Sequence, residues 1–309
     1  MANLCDELME GRPSGPVAAT FGVFDGVHLG HRHLIETLVI AAAQRNVIPV
    51  VVTLANHPLS VLRPELPVVL LTSLKERVDL LHQAGIQHVI PITFTVELSQ
   101  LSPEQFMRAL CDCLSLSHMV VGPDFAVGKD RSGSLPVLEA LGAALGYSMD
   151  VAAHYELAGE SVRSSAVRTA LATGDLPTVE RFLGRHFTLD GPVIEGEGRG
   201  GGLLGFPTVN IGLGPLQALP ADGVYATWIE VHGEWYASAT SVGIKPTFHQ
   251  DAPRVVESFI LDYDGNLYGQ PVRVEFVARL RDQEKFDSVD ALIAQMQRDV
   301  EETKALLGR

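Results

Sequence analysis

The residues best suited to do chemistry stand in one short string, Gly22-Val23-Phe24-Asp25-Gly26-Val27-His28-Leu29-Gly30-His31. It follows a β-branched run and opens a helical pattern. Its glycines let backbone approach a ligand closely, and a helix N-terminus offers unpaired N–H groups and the positive end of its dipole. His28 and His31, three residues apart, add donors that can face the same anion. Such a constellation suits a polyphosphate on which charge builds up during transfer. A tight turn with two surface histidines is the plainer alternative, but the complete string after a strand favours phosphate chemistry. A zinc site on His28, His31 and His33 lacks a matching partner set.

A second cluster lies far along the chain, in the glycine-dense segment from Gly196 to Asn210. Its Gly-x-Gly-x-x-Gly match at 196–201 is not a dinucleotide fingerprint, because that motif must open a helix and the following LLGFPT, with Pro207, cannot continue as one. Nor is there a P-loop: Gly128-Lys129-Asp130 lacks the hydroxyl that would follow the lysine. Two readings stay open, a structural turn or a glycine flap over phosphates, with Thr208 and Asn210 presenting oxygens suited to Mg²⁺.

The elements that must position these residues change character along the chain. VAATFGVF (17–24), VIPVVVTL (47–54), HVIPITF (88–94) and SHMVVGPDF (117–125) read as buried strands. They alternate with helical patterns over 30–44, 71–85 and 103–114; Thr72 or Ser73 caps the second and Ser102-Pro103 opens the third. This alternation predicts a doubly wound parallel sheet with helices on both faces, whose ligands lie beyond the strands' C-terminal ends. After about residue 186 short strand-like segments recur with glycine turns, and Asp264-Gly265-Asn266 between two apolar runs is a hairpin signal. This half predicts a small antiparallel β-barrel or sandwich, closed by a helix over 287–307 with Val289, Leu292, Ile293, Met296 and Val300 on one face. The expected domains are therefore 1–185 and 186–309.

Composition narrows the partners. Hydrophobic residues make up 46% of the 309 and charged residues 19%, an ordinary globular balance. Lys plus Arg total 23 against 37 Asp plus Glu, a net charge of −14. Such a surface repels nucleic acid and anionic membranes, so a phosphate ligand must be captured by local donors. Three cysteines, Cys5, Cys111 and Cys113, make neither a disulfide framework nor a zinc knuckle and point to a reducing cytosol. The N-terminus lacks a signal peptide's basic start, and no apolar run reaches the length of a membrane span. The expectation is a cytoplasmic protein with no nucleic-acid or membrane partner; oligomeric state stays open.

The first string resembles the His-x-Gly-His nucleotidylyltransferases, and in its longer form the adenylyltransferase module of the bacterial bifunctional riboflavin kinase/FMN adenylyltransferases. The similarity continues through TLANHP (53–58), VVGPDFAVGKDRSG (120–133) and RSSAVRTALATGD (163–175). It implies ATP binding by Gly22, Phe24, Asp25, Gly26, Gly30, Ser164, Ser165 and Arg168, with His28 and His31 on the phosphates. Asp124 and Phe125 fall where the nucleotide and flavin site is lined. Two departures stand out: Arg163 replaces the first serine of the usual Ser-Ser-Thr, and TLANHP lacks an acidic-Pro pair.

GFPTVN, GVYA (223–226), SVGIKPTF (241–248), VVESFILDYDGNLYG (255–269) and LRDQEKFDS (280–288) resemble the riboflavin kinase module. That resemblance implies Mg²⁺ at Thr208 and Asn210, ATP at Gly198 and Gly205, and Glu257 as base. It makes Arg281 and Phe286 candidates for flavin contact, although each could be simply a surface cation or a core anchor. A base is required there because a ribityl hydroxyl must lose its proton as it attacks a γ-phosphate. None is required for adenylylation, because an FMN phosphate, with a second pKa of roughly 6, is already ionised. The implied substrates and products are riboflavin, FMN, FAD and ATP. The alternatives are a protein with only the kinase module active, or a flavin-binding sensor without turnover.

Overall fold

A computed structural model of the chain describes residues 2–195, 208–214, 216–244 and 254–308. They belong to two compact units, Met1–Ser164 and Ser165–Arg309.

The first unit begins with helix α1 (Ala2–Glu10), strand β1 (Val17–Gly22), α2 (Leu29–Arg45), β2 (Ile48–Leu54), the single turn α3 (Pro58–Leu62) and α4 (Leu74–Gln83). It continues with β3 (His88–Ile92), α5 (Val96–Ser99), α6 (Pro103–Leu114), β4 (Leu116–Val121), α7 (Leu135–Leu145), β5 (Ser148–Val151) and a two-stranded ribbon of β6 (Glu156–Leu157) and β7 (Glu160–Ser161). Five strands form one sheet in the order β3-β2-β1-β4-β5, all parallel. Alternate residues bury against opposite layers: Val17, Val50, Val52 and Met119 meet α1, α6 and α7, while Ala18, Val51 and Val120 meet α2 and α4. Both faces are covered, hence the near-continuous apolar strands. The strand order reverses beside β1, which places the β1–α2 turn at the crevice such sheets use for ligands.

Helix capping follows the sequence closely. Ser73 caps α4, its Oγ accepting from Glu76 N at 3.1 Å, and Ser102 and Gln105 form a reciprocal capping box on α6. The cysteine expectation is corrected: Cys5 of α1 and Cys113 of α6 are joined in a disulfide across a sequence separation of 108. The packing of α1 on α6 brings their Cα atoms to 5.4 Å, a proximity no residue count reveals. The cysteines thus give no support to a reducing compartment. Among the described residues, no helix is long and apolar enough to cross a membrane.

The second unit opens with α8 (Ser164–Ala172), whose first residue still belongs to the first unit, and α9 (Leu176–Leu183). Strands β8 (Phe187–Ile194), β9 (Thr208–Ile211), β10 (Gly223–Val231), β11 (Glu234–Gly243), β12 (Val255–Ile260) and β13 (Pro271–Arg281) close into a barrel in the order β10-β11-β12-β9-β8-β13, and α10 (Val289–Leu307) follows. The first barrel strand, β8, begins at Phe187, after the expected boundary at 185/186. The compact units divide earlier because α9 packs on β8 and β13.

The hairpin expected at Asp264-Gly265-Asn266 does not form. β12 pairs with β11 and β9, while β13 pairs with β10 and β8, so the turn connects strands that are not neighbours. The edge of β12 is taken by β9, whose four residues had read as part of the glycine flap. Along β12, Val256, Ser258 and Ile260 are buried while Glu257 and Phe259 alternate onto the other face.

Candidate functional sites

The β1–α2 turn is tightly wound. Phe24, Gly26 and Val27 have φ of 53°, 81° and 39°, left-handed conformations rare for a β-branched residue such as Val27. A backbone of this kind persists only where its surroundings over-determine it. Asp25 supplies much of that constraint: its buried carboxylate accepts from Leu71 N at 2.9 Å and Thr72 N at 3.2 Å, and Gly26 N donates to Thr72 Oγ1 at 3.1 Å. The Ser164 hydroxyl donates to the Asp25 carbonyl at 2.8 Å. Asp25, expected among the ATP-binding residues, therefore spends its carboxylate on the 71–72 backbone and acts by shaping the turn. An acceptor-only group turned that way is also the arrangement that does not repel a phosphate.

His28 is the N-cap of α2, and its Nδ1 accepts from His31 N at 3.2 Å. In the neutral ring the proton is then on Nε2. The two imidazoles stack, with centroids 3.7 Å apart and planes 16° from parallel. His31 Nδ1 is buried without a hydrogen bond, and burial, then His28, then Arg77, hold its pKa well below the ordinary 6.5. His31 is thus a neutral ring near pH 7, offering an N–H and not a standing positive charge. Gly30 is required by close approach: a Cβ there would come within 2.9 Å of the Val162 carbonyl and 3.2 Å of the His28 ring.

Arg77 is a residue that motif reading passed over. Fully buried on α4, its Nη1 donates to Val23 O at 2.7 Å and Leu54 O at 2.6 Å. It thereby ties the residue that follows β1 to the last residue of β2. The available signal was its spacing: Arg77, Leu80 and Leu81 share the buried face of one amphipathic helix, and a cation at such a position needs partners.

Gly22, Phe24, His28, Gly30, His31 and Ser164 line a cavity of about 390 Å³. Asp124, Phe125, Phe21, Gly22 and Val23 belong both to this cavity and to a neighbouring one of about 580 Å³, walled by Leu54, Pro58, Phe94, Leu98 and Phe106. The second space has the apolar lining and size for a flat aromatic ring system. The Asn56 amide, in the TLANHP segment, clamps Phe94 from both sides, giving to its carbonyl at 3.0 Å and accepting from its N at 2.8 Å. Ser165 and Arg168 lie on α8, within the second compact unit.

In the second unit a cavity of about 820 Å³ lies between the barrel wall and α10. Thr208, Glu257, Phe259, Arg281 and Phe286 all line it, so residues spread over nearly eighty positions meet at one site. Asn210 stands directly opposite Glu257, and Thr208 opposite Phe259, in the β9–β12 ladder. The expected apolar stripe of α10 is present, but Val289, Leu292, Met296 and Val300 wall the cavity, while the helix's buried residues are Asp299 and Thr303. Arg281 is held by Asp299 through two bonds, Nε to Oδ1 at 2.8 Å and Nη2 to Oδ2 at 2.7 Å, and its guanidinium lies 5.7 Å from the Phe286 ring centre. That pairing raises its pKa and anchors the strand end to α10. Gly198 and Gly205 lie outside the described residues.

Among the described residues no group of three or more His, Cys, Asp or Glu could hold a metal ion. The oxygen donors of Thr208 and Asn210 fit Mg²⁺ in another way, since this ion keeps much of its shell from water and substrate phosphates.

Two protein families match the chain: FAD synthetase over residues 12–166 and riboflavin kinase over 183–307. The bifunctional riboflavin kinase/FMN adenylyltransferase of Bacillus subtilis (strain 168) is 33% identical over 91% of this chain and 89% of its own length. That of Pseudomonas fluorescens is 34% identical over 93% and 92%. A crystal structure titled as a macrolide-efflux protein from Streptococcus pneumoniae superposes with a TM-score of 0.85 at 27% identity, covering 94% of this chain and 95% of that one. With both families matched in order along the chain, and with relatives above 30% identity over about nine-tenths of its length, the chain belongs to the bifunctional riboflavin kinase/FMN adenylyltransferase family.

Proposed function

We infer that the chain makes FAD from riboflavin in two steps. The barrel unit transfers the γ-phosphate of ATP to riboflavin, giving FMN and ADP. The parallel-sheet unit transfers AMP from a second ATP to FMN, giving FAD and pyrophosphate. The observation that carries this reading is the pairing of two dissimilar cavities with two reactions of different chemical need: one holds a carboxylate and the other a histidine pair at a helix N-terminus.

In the barrel cavity Glu257 takes the proton of the ribityl 5′-hydroxyl as its oxygen attacks phosphorus, a contribution of roughly 10²–10⁴-fold. The apolar face of α10 and Phe286 provide a wall for the flavin ring, with Arg281 anchored by Asp299 behind it. Thr208 and Asn210 would hold Mg²⁺ there, which supplies charge neutralisation on the phosphates. In the parallel-sheet unit the flavin ring occupies the apolar cavity and the phosphates of ATP lie against the turn. There His28, His31 and the α2 N-terminus stabilise charge gathering on the departing pyrophosphate. We place Ser164 on the same nucleotide, and the change of activity along the chain between residues 166 and 183.

A chromatographic time course with riboflavin, ATP and Mg²⁺ tests the reading. FMN is expected first and FAD with pyrophosphate second; Glu257→Gln stops the first step and His28→Ala only the second. FMN accumulating without FAD would leave only the kinase. A folded, flavin-binding protein that makes neither product would be a sensor.

A further inference from the structure

We propose that Arg163 is the anion receptor that selects FMN over riboflavin in the parallel-sheet unit, exchanging its Asp124 partner for the FMN phosphate. The proposal deepens the adenylyl-transfer reading and rests on it.

Arg163 stands immediately before α8 on the wall of the histidine cavity, and its surroundings give it a purpose. Its Nη2 lies 3.3 Å from Asp124 Oδ2, and its Nε donates to Ser161 Oγ at 3.0 Å. The pair joins the loop after β4 to the segment between β7 and α8. Both residues line the cavity of the histidine pair, and Asp124 also lines the apolar cavity beside it, so the pair stands near the border between the two. A flavin whose ring fills the apolar side presents its ribityl phosphate at that border. Riboflavin, ending in a neutral hydroxyl, has nothing there for a guanidinium to hold.

Charge points the same way. The chain carries −14 overall, which opposes entry of a dianion. Among the described residues lining the histidine cavity, Arg163 is the sole Lys or Arg. His31 is neutral near pH 7, so the permanent positive charge on this wall is Arg163's. Its bond to Asp124 is exchangeable because the two side chains are 57% and 70% exposed, and a pair so open to water contributes little. A phosphate offers the guanidinium a bidentate partner of higher charge. In the free protein Asp124 therefore keeps Arg163 aimed at the border without holding it tightly.

The test is steady-state FAD formation by the full chain with FMN and ATP varied separately, comparing wild type with Arg163→Ser, Arg163→Ala and Arg163→Lys. The first thermal transition, measured on the same preparations, reports that the parallel-sheet unit of each variant is folded. Loss of a charge-assisted hydrogen bond predicts a KM for FMN raised roughly ten- to a hundredfold in the Ser and Ala variants, partly recovered by Lys. The KM for ATP should stay within about twofold, and the salt dependence of the FMN KM should weaken with the lost charge. An unchanged KM for FMN overturns the proposal. So does a rise confined to ATP, which would put Arg163 on the nucleotide. Should wild type form no FAD, the adenylyl-transfer reading fails by itself. Calorimetric titration of FMN with riboflavin saturating the barrel site then decides on Arg163: equal FMN affinity in wild type and Arg163→Ser overturns it, and a loss in the variant supports it.

Discussion

Glu257 and Asn210 are direct cross-strand partners, one on β12 and the other on β9, although 46 residues, with strands β10 and β11 among them, lie between the two in the sequence. Opposed residues of an antiparallel pair present their side chains on the same face. A carboxylate that lines the barrel cavity and an amide are thereby set on the same face of the β9–β12 pair. Glu257→Gln keeps the shape and removes the base, so riboflavin phosphorylation should fall roughly 10²–10⁴-fold with little change in flavin affinity. Asn210→Ala should instead raise the Mg²⁺ concentration needed for half-maximal rate. Equal losses in flavin binding and turnover in Glu257→Gln would remove the base assignment.

The Asp25 carboxylate and the 71–72 backbone are a single structural unit. Asp25→Ala strands two buried N–H donors, at about 1–3 kcal/mol each. The first unit should melt earlier and FAD formation should fail, while riboflavin phosphorylation persists. Separate thermal transitions and the two activities check this together.

His31 makes the first unit sensitive to acid. Its folded pKa lies below the ordinary 6.5, and so does that of His118, lowered chiefly by burial and then by Arg45. Below about pH 6.5 the unfolded chain takes up protons that these folded rings refuse, so stability falls as pH drops through that window and is unaffected by them above it. NMR titration should place the His31 midpoint below 6.5 in the free protein and move it upward when ATP binds. A midpoint at 6.5 or above in the free protein contradicts the buried neutral ring.

Arg281 and Asp299 form the most enclosed ion pair with two-point geometry in the barrel unit, their side chains 17% and 6% exposed. Asp299→Ala leaves a largely enclosed cation unpaired, a change of about 3–5 kcal/mol for a buried pair. Replacing both with methionine should recover much of that loss. Chemical denaturation of the single and double variants measures it, and an additive result would mean the pair is not coupled.

The Cys5–Cys113 bond closes a long loop across the first unit. In the chain-entropy account a loop of that length corresponds to about 4–5 kcal/mol. Reduction, or Cys5→Ser, should lower the first transition and leave the second in place. Identical melting with and without reductant would show that the bond adds nothing.

Local chemistry was legible to the residue. Ser102-Pro103 opens α6 where expected, and Ser73 caps α4, because capping involves atoms three residues apart. The Gly22–His31 string likewise announced a tight turn opening a helix, since its glycines and His28 act within one loop. Pairing between distant strands was less legible: Asp264-Gly265-Asn266 has hairpin chemistry, yet β9 occupies the edge that such a hairpin needed.

The sequence by itself determined the two kinds of architecture, a parallel sheet with helices and an antiparallel barrel with a terminal helix, through periods of 3.6 and 2. Only the tertiary structure decided that Asp25 serves the 71–72 backbone, that Arg77 binds carbonyls at the C-terminal ends of β1 and β2, that Cys5 meets Cys113, and that Arg163 pairs with Asp124. Each of these is a contact between segments from 23 to 108 residues apart. Such contacts depend on how whole layers pack, because closing a long loop costs entropy that only the completed core repays, and no local pattern records which partner that core will bring near.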